Sequence, residues 1–103
     1  MVSRGEVWWY EHPDAGRRPF AILTRTEACG VLNQVLAAPA TTVIRQIPTE
    51  VPLDKHDGMP RRCVLSLDNV TLIRPALCTE LITTLDAATM GKVCEALGYT
   101  TAC

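Results

Sequence analysis

Arg17-Arg18-Pro19-Phe20, running into Ala21-Ile22-Leu23-Thr24, is the stretch on which the reading of the fold turns. Proline lacks a backbone donor and fixes φ, so Pro19 belongs at the start or edge of a strand. The residue before a proline is pushed into extended backbone, which holds Arg18 at a strand mouth beside a loop. A cation presented there suits a phosphate group. Pro19 to Thr24 therefore reads as a strand, and its neighbours divide into similar short units.

Upstream, Gly5-Glu6-Val7-Trp8-Trp9-Tyr10 reads as an aromatic-rich first strand. Glu11 to Gly16 reads as a loop, since it holds His12, Pro13, Asp14 and Gly16. Downstream, Arg25 to Gly30 is a polar loop that ends in glycine, and Gln34-Val35-Leu36-Ala37-Ala38 is a third strand. Thr42-Val43-Ile44 admits either a helical turn or a strand extension. Glu50-Val51-Pro52-Leu53 is a short strand, with Pro52 marking an edge, and Asp54 to Pro60 is rich in turn residues. Cys63 to Leu67 and Val70 to Ile73 are strands separated by Asp68-Asn69, and a further short strand covers Cys78 to Ile82. From Asp86 the period changes: Ala87, Met90, Val93, Cys94 and Leu97 recur at helical spacing. Asp86 is a good N-cap and Gly98 a good residue just past a helix end. Several short strands closed by one amphipathic helix describe a mainly β fold, a small curled barrel with a C-terminal α-helix packed on it.

The chain has 103 residues, which makes one domain of residues 1–103 with room for a modest core. Pairing with a second copy would bury more. With 48% hydrophobic and 20% charged residues it has the composition of an ordinary globule. Its net charge of −1 announces no global basic field. Basic residues cluster locally instead, at Arg17-Arg18 and Arg61-Arg62, with Arg45 and Arg74 isolated. The first residues carry no apolar signal core and no stretch is long enough to cross a membrane, so a cytoplasmic location is expected.

Cys29, Cys63, Cys78, Cys94 and Cys103 form an odd set without a CxxC pair, unlike a disulfide framework. Neither histidine lies at metal-ligand spacing from a cysteine. The cysteines read as plain thiols in a reducing compartment, with Cys103 exposed and open to crosslinking in air. His12 and His56 offer an acid/base pair in principle, because histidine titrates near neutral pH. The plainer reading is two exposed loop histidines.

Several segments, in order, resemble the MazF/PemK toxin family. Arg4-Gly5-Glu6-Val7-Trp8 resembles its opening, and Gly16-Arg17-Arg18-Pro19 its arginine–proline loop. Leu36-Ala37-Ala38-Pro39-Ala40-Thr41-Thr42 resembles its strand ending in a Thr/Ser pair. Val51-Pro52-Leu53, Asp57-Gly58-Met59-Pro60 and Val64-Leu65-Ser66-Leu67-Asp68-Asn69 are similar to its later strands and glycine-bearing loop. Leu85-Asp86 to Met90 and Val93 to Leu97 are similar to its closing helix. The resemblance implies an SH3-like barrel that dimerises and cuts single-stranded RNA at short sequences without metal or other cofactor. It also implies an antitoxin, similar to MazE, whose acidic tail blocks the RNA site.

Metal-free RNA cleavage uses the neighbouring 2′-OH as nucleophile, so the protein must hold a phosphate, stabilise its growing negative charge and move protons. Arginine suits the first two tasks through its planar, several-donor fork. The resemblance gives this role to Arg18 and pairs it with the hydroxyl of Thr41, with Thr42 not separable from it. A plainer role for Thr41 is a turn closing the loop after Pro39, compatible with the first. One branch of the family carries an arginine two residues before the aspartate of its D-Q pair. Here that position is Ser66, the pair is Asp68-Asn69, and a following arginine is replaced by Thr71. Asp68 thus reads better as a buried turn carboxylate than as a catalytic group. Arg17, Arg61, Arg62 and His12 are further candidates for RNA contact. Trp8 and Tyr10 alternate with Trp9, so one side is core and the other offers rings to a groove or a dimer. Two other functions stay open at this point. A toxin of the same barrel binds DNA gyrase through a C-terminal tryptophan, which Gly98-Tyr99-Thr100-Thr101-Ala102-Cys103 lacks. A toxin-like binding domain without activity would fit Ser66 and Thr71.

Overall fold

Seven antiparallel strands and a closing helix are seen in the computed structural model, which describes residues 1–14 and 16–102. The strands are β1 (Glu6–His12), β2 (Gly16–Ile22), β3 (Val35–Thr41), β4 (Glu50–Leu53), β5 (Cys63–Ser66), β6 (Thr71–Ile73) and β7 (Cys78–Thr84). A short helix α1 (Thr26–Cys29) follows β2, and α2 (Ala87–Thr101) ends the chain. The strand order is β4-β5-β3-β2-β1-β7, with β6 also paired to β3. The sheet curls like a barrel without closing, and β4 and β7 are its ends. This is the mainly β, SH3-like architecture with a C-terminal helix that the sequence implies.

The curl has a chemical cause in β3. Its first half, Val35 to Ala37, pairs with β6, and its last residues, Ala40 and Thr41, pair with β5. Pro39 lies between the two pairings, where a missing donor costs the ladder least. Pro52 likewise stands on β4 at the sheet's end, exposed to solvent. The expectation that Pro19 marks a strand start is corrected: β2 begins at Gly16, three residues earlier in the chain. Pro19 is nonetheless at an open flank, since β3 pairs with β2 only from Phe20 onward. Residues 16–19 of β2 have β1 as their neighbour and nothing from β3.

Both faces of the central strands are covered. Ala21 and Leu23 join one apolar cluster with Val7, Leu65 and the α2 residues Val93 and Ala96. The alternate residues Phe20 and Ile22 join a second cluster with Tyr10, Val35 and Ile73. That alternation explains why residues 20–23 are continuously apolar.

Some boundaries differ from the sequence reading. The polar segment after β2 contains α1 rather than plain loop, and β1 runs on through Glu11 and His12. Residues 42–44 form neither a helical turn nor a strand. On α2, Asp86 caps the N-terminus by accepting from the Thr89 amide at 2.8 Å. Gly98 does not end the helix, which continues to Thr101 and stops at Ala102 in the left-handed region, φ 56°. Side-chain chemistry sustains that extra turn. Thr101 Oγ1 bonds the carbonyls of Leu97 and Gly98, and Thr100 Oγ1 donates to Asp68 at 3.3 Å. Ala87 and Cys94 are exposed; the inward face is Thr89, Met90, Val93, Ala96 and Leu97. Among the described residues no helix is long and apolar enough to cross a membrane. Cys103 lies outside the described residues.

Candidate active site

The open flank of β2 becomes a cavity of about 300 Å³, floored by Ala40 and Met59 and walled by Trp9, Arg17, Arg18, Thr41, Thr42 and Arg61. Register sets the wall: Pro19 stands opposite Trp9, and Arg18 opposite Tyr10. The two adjacent arginines have different surroundings. Arg17 lies 4.2 Å over the Trp9 ring, its Nη2 is 3.1 Å from Glu80 Oε2, and its Nε is 3.7 Å from Glu11 Oε2. Each exposed ion pair is weak alone, but three contacts together fix one side chain. The Arg18 side chain makes no hydrogen bond or ion pair among the described residues. It is exposed and retains its whole donor fork for a ligand.

Thr41 closes β3, and its Oγ1 accepts from the Val43 amide at 3.2 Å. That is the turn geometry expected from the sequence, and it leaves the hydroxyl proton to donate elsewhere. Thr42 and Arg61 are exposed on the cavity rim. Cys63 also lines the cavity, but burial pushes its thiol pKa up, with Asp57 and Asp54 adding to the rise. A neutral, buried thiol is a poor nucleophile.

Arg18 borders a second cavity as well, of about 590 Å³, on the face of Tyr10 and Phe20. His12, Asp14, Gln34, Thr71 and Arg74 bring polar groups to it. His12 Nδ1 accepts from the Asp14 amide at 3.0 Å, which leaves Nε2 as its free ring nitrogen. Arg74, isolated in the sequence, comes near Arg18 only because β6 pairs with β3. No local signal announces it, nor the hold of Glu80 on Arg17.

The remaining candidates lie apart. Asp68 is exposed rather than buried, and lines neither cavity. Its two oxygens accept from Thr49 Oγ1 at 2.6 Å and Thr100 Oγ1 at 3.3 Å, tying the approach to β4 and the end of α2 to one surface turn. Ser66 is buried and accepts from Asn69 Nδ2 at 2.7 Å. Arg62 is exposed and outside both cavities, and His56 sits in the 3₁₀ turn Lys55–Asp57, sharing no cavity with His12. Trp9 is half-exposed beside Arg17, whereas Tyr10 is buried and Trp8 packs on its cluster. Among the described residues, no three His, Cys, Asp or Glu side chains gather as metal ligands.

Comparison with known proteins gives this geometry a lineage. The family model of PemK-like, MazF-like toxins of type II toxin–antitoxin systems matches residues 3–100. The chain is 38% identical over 104 residues to the probable endoribonuclease MazF5 of Mycobacterium tuberculosis, spanning 100% of this chain and 95% of that protein. It superposes on the Mycobacterium tuberculosis toxin MazF-mt6 with a TM-score of 0.86 at 31% identity, covering 94% of this chain and 96% of that one. An endoribonuclease from a mycobacterial species, solved with its cognate antitoxin, has a TM-score of 0.89 at 24% identity over 99% and 96% of the two chains. At that identity the last likeness concerns the fold alone. With the match running from before β1 into the last turn of α2, this chain belongs to the PemK-like, MazF-like toxin family of type II toxin–antitoxin systems.

Proposed function

We propose that the protein is an endoribonuclease toxin that cuts single-stranded RNA by attack of a 2′-OH on the adjacent phosphate, without metal. The observation that carries this reading is that an unpaired Arg18 side chain and Thr41 line one cavity. In the reaction the O2′–P bond forms, the P–O5′ bond breaks, O2′ loses its proton and O5′ gains one. The guanidinium of Arg18 stabilises the charge on the non-bridging oxygens, and the Thr41 hydroxyl donates to one of them. His12, on the other side of Arg18 with Nδ1 held by the Asp14 amide, is a candidate for RNA contact through Nε2, and water takes the O2′ proton and supplies the one that O5′ gains. Trp9, steadied by Arg17, offers a ring for a base on one side of the phosphate. The larger cavity continues the strand's path on the other side, with Arg74 as a second phosphate contact. Asp68 and Ser66 act in the fold rather than in the chemistry.

The regulator in this reading is an antitoxin whose acidic tail enters the same cationic cavity. The working unit is a homodimer in the cytoplasm; exposed Leu72 and Leu81 are apolar surface that a second copy would cover. Incubation with RNA in EDTA tests the core of the proposal. The wild type should leave 2′,3′-cyclic phosphate and 5′-hydroxyl ends, and Arg18→Ala should cut on the order of 10²–10³-fold more slowly. A 5′-phosphate product, or an Arg18→Ala protein that cuts equally well, rules it out.

A further inference from the structure

Glu50 is a buried carboxylate that the proposed chemistry does not use. It opens β4 opposite Ser66, and its side chain is 3% exposed. Oε1 accepts from the amides of Arg45 at 2.8 Å and Gln46 at 3.1 Å. Oε2 has no hydrogen-bond partner among the described residues and lies 3.7 Å from Arg45 Nη1. A buried carboxylate is costly unless charge-assisted hydrogen bonds offset its desolvation. This one spends its bonds on the segment joining β3 to β4.

That segment is held sparsely. Between Thr42 and Gln46, the hydrogen bonds among the described residues are Val43 N–H to Thr41 Oγ1 and the two amides on Glu50. Gln46 sits in the left-handed region at φ 56°, a conformation disfavoured for a side-chain-bearing residue unless its surroundings impose it. Further on, Ile47 and Thr49 are fixed through their carbonyls, to Glu50 and Leu67. The Thr41 hydroxyl and the Glu50 carboxylate are therefore the two pins of one short stretch. The Val43 amide decides which lone pair of Thr41 Oγ1 is occupied, and hence where its proton can point.

We infer that Glu50 is a positioning residue for Thr41. By pinning the Arg45 and Gln46 amides it holds the Val43 N–H against Thr41 Oγ1, so that the hydroxyl presents its proton to the phosphate cavity. The inference rests on the proposed role of Thr41. A misplaced hydroxyl lowers the rate of the chemical step and leaves RNA binding, which depends on the arginines, nearly unchanged.

The test is single-turnover cleavage, in EDTA, of an RNA that the wild type cuts, by Thr41→Val, Glu50→Ala, Glu50→Asp, Glu50→Gln and Thr41→Val/Glu50→Ala, with thermal melting as the check of folding. Glu50→Gln keeps an oxygen for both amides and should cleave within about 3-fold of the wild type. Glu50→Asp keeps the charge but falls short of the amides. It should lose roughly 10- to 100-fold in rate with little change in KM, as should Glu50→Ala. In the Thr41→Val background Glu50→Ala should add no further loss. If Glu50→Ala does not fold, Glu50→Asp takes its place in both backgrounds. An equal loss in both backgrounds, or full activity of both Glu50→Ala and Glu50→Asp, overturns the inference while leaving the proposed reaction intact. Full activity of Thr41→Val instead defeats the role of Thr41, and the positioning role falls with it.

Discussion

Arg17 and Arg18 are neighbours in sequence and opposites in use. Their side chains alternate across β2, so one meets Trp9, Glu11 and Glu80 while the other meets solvent and two cavities. Arg17→Ala therefore removes a support rather than the proposed phosphate ligand. An exposed cation–π contact contributes about 0.5–1 kcal/mol, which is roughly a 2- to 5-fold effect. Cleavage assays on Arg17→Ala should show KM raised by about that factor and kcat unchanged. A collapse of kcat comparable to that of Arg18→Ala would mean that the two arginines share the phosphate. The preference for Arg18 over Arg17 was legible in the sequence as a resemblance. The physical reason, an occupied fork against a free one, depends on Glu80, far along the chain on β7.

Elements show where local signals suffice and where they do not. Asp86 is a cap in the sequence and a cap in the fold, because capping involves only four consecutive residues. Hydrogen bonding to Thr89 lowers its pKa, with Lys92 adding to the effect. A depressed carboxylate stabilises the fold above its unfolded pKa and loses that contribution as pH falls through the folded value. The difference in Tm between wild type and Asp86→Ala should thus be constant near neutral pH and shrink on acidification below about pH 4. A difference that persists unchanged in acid would assign the cap's effect to something other than its charge. Gly98 is the counter-case, a helix stop in sequence that the helix runs through. A Cβ there would meet nothing within 4 Å, and no positive φ demands glycine. Gly98→Ala should raise stability by roughly 0.5–1 kcal/mol, seen as an increase in denaturant midpoint. Gly58 differs: at φ 93°, an added Cβ would clash with Thr83 Oγ1, which donates to the Asp57 carbonyl at 2.8 Å. Gly58→Ala should destabilise clearly in the same assay.

At the scale of the whole molecule, a net charge of −1 and a cationic site coexist because the basic residues are gathered by topology. Arg18, Arg61 and Arg74 come from β2, the loop before β5 and the turn after β6. Each phosphate contact on single-stranded nucleic acid contributes about −0.7 to the slope of log affinity against log salt. Three contacts predict a slope of about −2, measured by RNA-binding titrations on a cleavage-deficient variant, and Arg74→Ala should reduce it by about 0.7. A slope near zero would remove phosphate contacts from the recognition. The strand-rich order, the Pro19 flank and the capped closing helix were readable along the chain, and the family resemblance proposed Arg18 with Thr41. These rest on backbone chemistry of adjacent residues or on motifs kept in order along the chain. Strand pairing was needed to show that the Arg17 side chain is occupied and that of Arg18 free, that Asp68 is an exposed tie between Thr49 and Thr100, that Arg74 borders the proposed site, and that Glu50 grips the β3–β4 segment. Each of those depends on which strands pair, and strand register joins residues whose separation in sequence carries no local signal.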